Sequence, residues 1–269
     1  MATSAKSDPD ATMVIRDITP SITTLSVPFE FAGGRVKSGG RATIVRLASG
    51  RLAIFSPVAL TATVRSKLES LGTTQYIVAP NIAHHIHISA WAKAFPSAQI
   101  ICGAGLVEKR EQDPATRGTK FHHIFTQENS SQMEIANDFD NEFKWEYVTA
   151  SSNQDIVFLH SPTKTLIQAD LLLNLPSTEQ YSKVRGGSST GFLGRMVSSA
   201  FSTKGDMIWQ KRALWHGVGS KKRESFSASM RNIQKWDFDR IIPCHGEVIE
   251  TNAKGTWANL TEWFINGKK

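Results

Sequence analysis

The sequence predicts an α/β fold in which sheets and helices pack in layers, and three observations support this. In the first half of the chain, short apolar runs typical of strands alternate with segments that have helical spacing. In the middle, several strand-like runs follow one another with polar turns between them. The chain has 269 residues, of which 40% are hydrophobic, and this is enough for one large core.

The first predicted elements are a β-hairpin and a helix. Residues 42–47 and 51–55 are apolar-rich runs on either side of a Ser-Gly turn, as in a hairpin. In residues 64–71 the apolar side chains fall on one helical face, and Gly72 is a typical residue to end that helix.

The alternation of strand and helix continues as far as residue 102. Residues 76–79 form a short apolar run that ends at Pro80, which predicts a buried strand. Trp91 and Phe95 have helical spacing, and residues 99–102 predict the next strand.

The later part of the chain adds strands first and helices afterwards. Strands are predicted over residues 120–125, 143–148, 155–160, 165–169 and 240–243. Apolar residues at helical spacing predict helices over 226–233 and 257–264.

The sequence predicts a single domain over residues 13–269. Residues 1–12 are polar and contain Asp-Pro-Asp, so we expect a disordered tail. Residues 176–224 are rich in Gly, Ser and basic residues but also hold several aromatic side chains. We interpret them as a lid-like insertion of short helices and loops, called the lid segment below.

Charge and composition narrow the class of protein. The net charge is +7, but the densest basic run is only residues 221–223, so a nucleic-acid partner is not favoured. No run approaches the roughly 20 apolar residues of a membrane helix, and the first residues lack the apolar region of a secretory signal. The two cysteines, Cys102 and Cys244, form no CxxC motif. We therefore expect a cytoplasmic protein with no membrane partner.

Three groups of candidate metal ligands occupy similar places in the predicted elements. His84-His85 follows a buried strand, Asp170 ends the predicted strand over residues 165–169, and His245 follows the last strand. Functional side chains collect at strand ends in α/β folds, and His and Asp are ligands suited to zinc or iron. Each group alone has a structural explanation, such as a hydrogen-bonded turn, so the interpretation depends on all three together.

In this order, the motifs resemble those of the metallo-β-lactamase-like superfamily, in particular a branch with a Pro-Asn-x-x-His-His segment. The matching segments are Pro80–His85, Gln168–Leu172 and Ile242–Gly246. The resemblance spans roughly residues 40–265. It implies an αββα sandwich, with two mixed sheets flanked by helices, and a metal site.

The departures from the superfamily pattern predict one metal ion instead of two. Pro80 and Ile82 stand where the first two histidines would be, and residues 149–152 stand where a later histidine would be. The three histidines that this sequence lacks normally form one of the two metal sites. The other site survives in this sequence, with His84, His85, Asp170 and His245 as its ligands. We expect one divalent ion. Zn²⁺ is the preferred candidate, and iron is the alternative.

Four protein ligands are unusual for catalytic zinc, which keeps one position open. Two solutions follow. Either the ion has five ligands including a water, or His84 is not a ligand and acts as an acid and base. Asp170 is part of the catalytic set in both cases, and His87 is the nearest candidate to donate a proton to the leaving group.

The resemblance and the lid segment together suggest a hydrolase that opens an ester or lactone, such as an acyl-homoserine lactone. The substrate would be an apolar small molecule, and the protein could form a homodimer. The substrate-binding candidates are Phe192, Met196, Trp209, Trp215 and His216. The alternatives are an iron-dependent oxidoreductase on the same fold and a degenerate scaffold that binds a metal or ligand without catalysis.

Overall fold

The computed structural model describes residues 8–31, 36–188 and 191–267, and its larger sheet has seven strands. The strand order is β1-β2-β5-β6-β7-β8-β9, with parallel pairing from β6 to β9. The bounds are Val14–Thr19 for β1, Ile22–Val27 for β2, Gly40–Arg46 for β5, Arg51–Phe55 for β6, Thr73–Val78 for β7, Gln99–Gly103 for β8 and His123–Phe125 for β9. Two short strands, β3 (Glu30–Phe31) and β4 (Val36–Lys37), pair with each other beside this sheet.

The second sheet has four strands in the order β10-β11-β12-β13. These are β10 (Phe143–Val148), β11 (Asp155–His160), β12 (Thr165–Gln168) and β13 (Arg240–Pro243). The last two strands are parallel, so their carboxyl ends lie at the same edge of the sheet.

Helices cover the outer faces of both sheets. Their bounds are α1 (Pro9–Thr12), α2 (Ala62–Leu71), α3 (Ile88–Ala94), α4 (Ala104–Glu111), α5 (Asn137–Asp140), α6 (Gly191–Ala200), α7 (Ile208–Ala213), α8 (Arg223–Gln234) and α9 (Ala253–Asn266). A π-helical turn, Leu214–Val218, continues α7. No helix in the described part of the chain is both long and apolar enough to cross a membrane.

Three apolar clusters show how alternating side chains separate the layers. In β6, Leu52 and Ile54 face α2 and α3, whereas Ala53 and Phe55 face the second sheet. In the second sheet, Ile156 and Phe158 of β11 point back toward the first sheet, whereas Val157 and Leu159 pack against α8 and α9. The period of two is what a strand covered on both faces requires. The result is the αββα sandwich that the sequence predicts.

The predicted elements are largely present, with a few differences. The hairpin of β1 and β2 and the short helix α4 were not predicted, because their polar residues interrupt the apolar pattern. Residues 9–12 form a helical turn within the expected tail, where Asp10 accepts a hydrogen bond from Thr61; residues 1–7 lie outside the described part. In its described residues, the lid segment consists of short helices and turns.

Candidate metal centre

The site lies at the edge of the sandwich where the parallel strands of both sheets end. Ser56 follows β6, and the loop that carries His84 follows β7. Asp170 follows β12, and His245 follows β13. Strands that are far apart in sequence therefore bring these side chains together at one edge.

His84, Asp170 and His245 form one cluster of potential metal ligands. Nε2 of His84 and Nε2 of His245 each lie 3.2 Å from Oδ1 of Asp170. One donor atom from each residue lies within 4.8 Å of the others. Among the described residues this is the only group of three or more His, Cys, Asp or Glu side chains with such spacing.

The hydrogen bonds of His245 show that its ring fits a cation. Nδ1 lies 2.6 Å from the backbone carbonyl of Gly39, which can only accept, so Nδ1 carries a proton. In a neutral ring, Nε2 then turns a lone pair toward the Asp170 carboxylate. A metal ion, or a second proton, has to lie between these two atoms to offset their repulsion.

His84 has a similar arrangement. Its Nδ1 lies 2.7 Å from the hydroxyl of Ser56, which leaves Nε2 to face Asp170. Two ligands about 2.0–2.1 Å from a tetrahedral ion lie about 3.4 Å apart, close to the separations observed here. The donor set therefore fits a single divalent ion with one position left open.

Two asparagines hold Asp170 from its other oxygen. Nδ2 of Asn81 donates to Oδ2 across 2.7 Å, and Nδ2 of Asn153 donates to the same atom across 2.9 Å. Gln168 accepts hydrogen bonds from the backbone N–H groups of Leu171 and Leu172 and so fixes the turn that carries the carboxylate. Oδ1 is thus aimed at the two histidines.

Arg41 fixes the loop that carries His245. This buried guanidinium donates to the carbonyls of Pro243 and Gly246, on either side of the histidine, across 2.8 and 2.6 Å. It also pairs with Glu179 across 3.2 Å. The loop is thereby held by groups from the opposite sheet and from the start of the lid segment.

Charges within the cluster shift the pKa values of its members. Burial alone would lower the pKa of His84, but the neighbouring Cys244 and Asp170 raise it well above its usual value. Burial would raise the pKa of Asp170, whereas the two histidines hold it well below the usual range. Behind Asn81, burial and the charge of Asp170 raise the pKa of Asp155 to about 6. A compact group of opposed charges of this kind is typical of functional sites.

Two pockets meet at the cluster. The first has a volume of about 150 Å³ and is lined by Phe29, Val58, Ile86 and His87 in addition to the three clustered residues. The second has a volume of about 320 Å³ and extends over Phe31, Leu173, Phe201 and Leu214 to Asp170 and His245. Both have largely apolar walls, so an apolar molecule can approach the cluster from either side.

The structure does not bring His85 to the cluster. Its Nδ1 lies 3.1 Å from Nη1 of Arg110, which also donates to the His85 carbonyl. The two neighbouring histidines project to different sides of their loop, because Asn81 folds the loop back by accepting from the N–H groups of Ala83 and His84. The ligand set of four expected from the sequence is therefore corrected to three.

The residues predicted to bind substrate lie away from both pockets. Phe192, Met196, Trp209 and His216 are exposed. Trp215 is half-buried and packs against Trp263 and Phe264. Within the described part of the chain, the lid segment lines the second pocket with other residues, including Phe201 and Leu214. Helical spacing alone did not show which side of these short helices faces the site.

A family model described as Domain of unknown function (DUF4336) matches residues 34–218. This match covers more than half of the chain. The chain belongs to this family. A comparison with curated proteins finds none that matches.

Solved structures with the same fold include metallo-β-lactamases and a flavodiiron core. The DIM-1 metallo-β-lactamase exposed to ceftazidime has 12% identity and a TM-score of 0.59, over 93% of this chain and 96% of that chain. The mono-zinc form of FIM-1 from Pseudomonas aeruginosa has 12% identity and a TM-score of 0.57, over 93% and 95%. The metal-soaked Flv1 flavodiiron core from Synechocystis sp. PCC6803 has 12% identity and a TM-score of 0.62, over 94% of this chain and 60% of that chain. The DUF4336 chain therefore has the metallo-β-lactamase fold.

Several residues of the DUF4336 site were not identified from the sequence. Ser56, Asn153 and Arg41 support the clustered side chains through hydrogen bonds, yet they lie far from them in sequence. Asn81 belongs to the Pro-Asn-x-x-His-His segment, and that motif was the one available signal for its role. The others depend on loop geometry that sequence spacing does not encode.

Proposed function

We propose that this chain is a mononuclear metal-dependent hydrolase that opens an ester or lactone. The observation that carries the proposal is the convergence of His84, Asp170 and His245 at the meeting point of two apolar pockets. Two histidines, one carboxylate and an open position form a ligand set that catalytic zinc uses. When bound, a divalent ion would act as a Lewis acid and lower the pKa of a coordinated water from ~15.7 toward ~7.

The side chains around the ion divide the remaining work. His84 is a ligand in this proposal and not an acid or base, since Ser56 occupies its Nδ1 and its Nε2 faces Asp170. His87 lines the first pocket together with the ligands. Burial lowers the pKa of His87, so its ring is neutral near pH 7. It can accept a proton from the attacking water and return it to the leaving oxygen.

The two pockets support a small apolar ester or lactone as the substrate class. A cavity of ~150 Å³ can hold a ring as large as benzene, which suits a lactone ring or the alcohol part of an ester in the first pocket. The larger second pocket, of about 320 Å³, suits an apolar acyl chain. An acyl-homoserine lactone has both parts and is the substrate that we would test first.

An iron-dependent oxidoreductase is the second candidate. Two histidines and one carboxylate with open positions also form the facial triad of non-haem Fe(II) oxygenases. The cluster of His84, Asp170 and His245 meets this description as well. Metal identity therefore distinguishes the two functions better than further geometry does.

The test combines metal analysis with activity on esters and lactones. Protein purified without added metal should contain about one zinc per chain and hydrolyse apolar lactones. His245→Ala should lose both the metal and the activity, whereas His85→Ala, outside the cluster, should retain the metal. Stoichiometric iron without esterase or lactonase activity would support the oxidoreductase instead. Wild-type protein that binds no metal would indicate a degenerate scaffold.

A further inference from the structure

The positive charge of this protein is concentrated in the lid segment. Residues 176–224 contain nine Lys and Arg and three Asp and Glu, a net charge of +6 out of +7 for the whole chain. Eight of the nine basic residues are exposed, and the ninth, Lys211, pairs with Glu262. Of the three acids, Glu179 is largely buried against Arg41. The exposed surface of this segment is therefore strongly basic.

The same segment exposes large apolar side chains. Phe192 is 73% exposed, Met196 is 54% exposed and Trp209 is 56% exposed. Phe192 and Met196 are four residues apart in α6 and so lie on one face of that helix. The other large apolar side chains that are exposed among the described residues are Phe29, Phe31 and Ile86, at the two pockets. Exposed apolar surface is thus grouped at the site and the lid segment.

A hollow with several polar side chains in its wall lies beside the apolar stripe of α6. It has a volume of about 470 Å³ and is lined by Arg195, Lys204 and the hydroxyls of Ser188, Ser198, Ser199 and Ser202. Arg195 and Ser199 follow a helical stripe next to that of Phe192 and Met196. Two cations among hydroxyl donors are a suitable environment for a phosphate group.

We propose that the lid segment docks onto the surface of an anionic phospholipid bilayer. Phe192, Met196 and Trp209 would enter the boundary between headgroups and acyl chains, and the Arg195–Lys204 hollow would receive a headgroup phosphate. Apolar residues next to basic residues on short helices are typical of such interfacial contacts, and Trp is favoured at that depth. A nucleic acid would match the charge but offers no apolar layer for Phe192 and Met196.

This proposal changes one expectation drawn from the sequence. The absence of a long apolar run argues only against a helix that spans the bilayer, whereas surface docking needs a few exposed apolar side chains and a basic surface. Since the second pocket is lined in part by the lid segment, docking would place the metal centre close to the bilayer. The proposal does not depend on the hydrolase function, because it concerns binding alone.

The test is sedimentation of the full chain with large unilamellar vesicles in the absence of substrate. We expect binding to vesicles of phosphatidylcholine with phosphatidylglycerol, weaker binding at high salt, and little binding to phosphatidylcholine alone. The combined variant Phe192→Ser, Met196→Ser and Trp209→Ser should bind at least about tenfold more weakly. Arg195→Ser with Lys204→Ser should weaken binding at low salt, whereas Lys93→Ser with Lys144→Ser removes the same charge elsewhere and should not.

Three results would overturn the proposal. The first is that the wild type does not sediment with anionic vesicles. The second is that the Arg195–Lys204 double variant and the Lys93–Lys144 double variant bind the vesicles equally weakly. The third is that the triple apolar variant binds them as well as the wild type. If the wild type binds a nucleic-acid duplex but no vesicles, and the triple apolar variant still binds the duplex, the basic surface would be assigned to nucleic acid. Conversion of a dimer to a monomer by the apolar variant, without vesicle binding, would assign the face to a second copy of the chain. All seven substituted side chains are exposed, and circular dichroism verifies that each variant is folded.

Discussion

Asn81 donates a hydrogen bond from Nδ2 to Oδ2 of Asp170 across 2.7 Å. The same Nδ2 donates to Asp155, and the Asn81 carbonyl oxygen accepts from the backbone of His84. One amide side chain therefore positions two of the three clustered residues and separates two buried carboxylates. This gives the asparagine of the Pro-Asn-x-x-His-His segment a structural role beside the candidate metal centre.

The change Asn81→Asp tests this role without changing the size of the side chain. An ionised aspartate cannot donate a hydrogen bond to Asp170. It also adds a third carboxylate next to those of Asp155 and Asp170. Loss of such a supporting contact lowers metal affinity by about 10–100-fold, and we expect that decrease in zinc titrations. Asn141→Asp, at an exposed position, is the matched control and should bind zinc like the wild type. Equal affinities for all three proteins would contradict the role of Asn81.

The strands from β5 onward and their order along the chain were predictable because they depend on local patterns. Alternating apolar residues and the hairpin turn predict β5 and β6, and helical spacing predicts α2 and α9. The cluster of His84, Asp170 and His245 was predictable because strand ends converge in an α/β fold.

The direction of each loop side chain was not predictable. The sequence places His84 and His85 side by side, and only the hydrogen bonds of Asn81 and Arg110 decide which ring faces Asp170. The side of the lid segment that faces the second pocket was not predicted for the same reason, since short helices give too few turns to define a face. A homodimer and a cytoplasmic location stay predictions.

Gly246 is required next to His245 by both backbone conformation and space. Its φ is +87°, and a Cβ there would lie 2.1 Å from the carbonyl oxygen of Asn174. Gly246→Ala should therefore lower the free energy of unfolding by clearly more than the ~1–2 kcal/mol typical of a left-handed residue, and urea unfolding measures it. Gly50→Ala is the control, because Gly50 has a φ of +80° but open space around its Cα. Similar losses in the two variants would show that the close approach is unimportant.

Glu179 makes stability depend on pH in the acidic range. Burial would raise its pKa, but Arg41, Ser26 and Arg16 together hold it below 4.5. A lowered pKa in the folded state means that its contribution is complete above the unfolded pKa and is lost as pH falls through the folded pKa. Wild type should therefore be more stable than Glu179→Gln near neutral pH, and the difference should shrink below about pH 4.5. Denaturant unfolding of both proteins without metal measures this; a difference that is constant from pH 3 to pH 7 would refute it.

His87 has a function in the proposed reaction that metal binding alone does not require. It lines the first pocket with His84, Asp170 and His245 but belongs to no metal cluster among the described residues. His87→Gln should keep the zinc and lower kcat by about 100-fold or more for alkyl esters and lactones, because an alkoxide needs a proton to leave. The loss should be much smaller for a 4-nitrophenyl ester, whose leaving group departs without a proton. His123→Gln, whose ring contacts Gln99 on the far strands, should leave kcat unchanged for both substrates. Equal losses for the two substrates would show that His87 supports the pocket wall and transfers no proton.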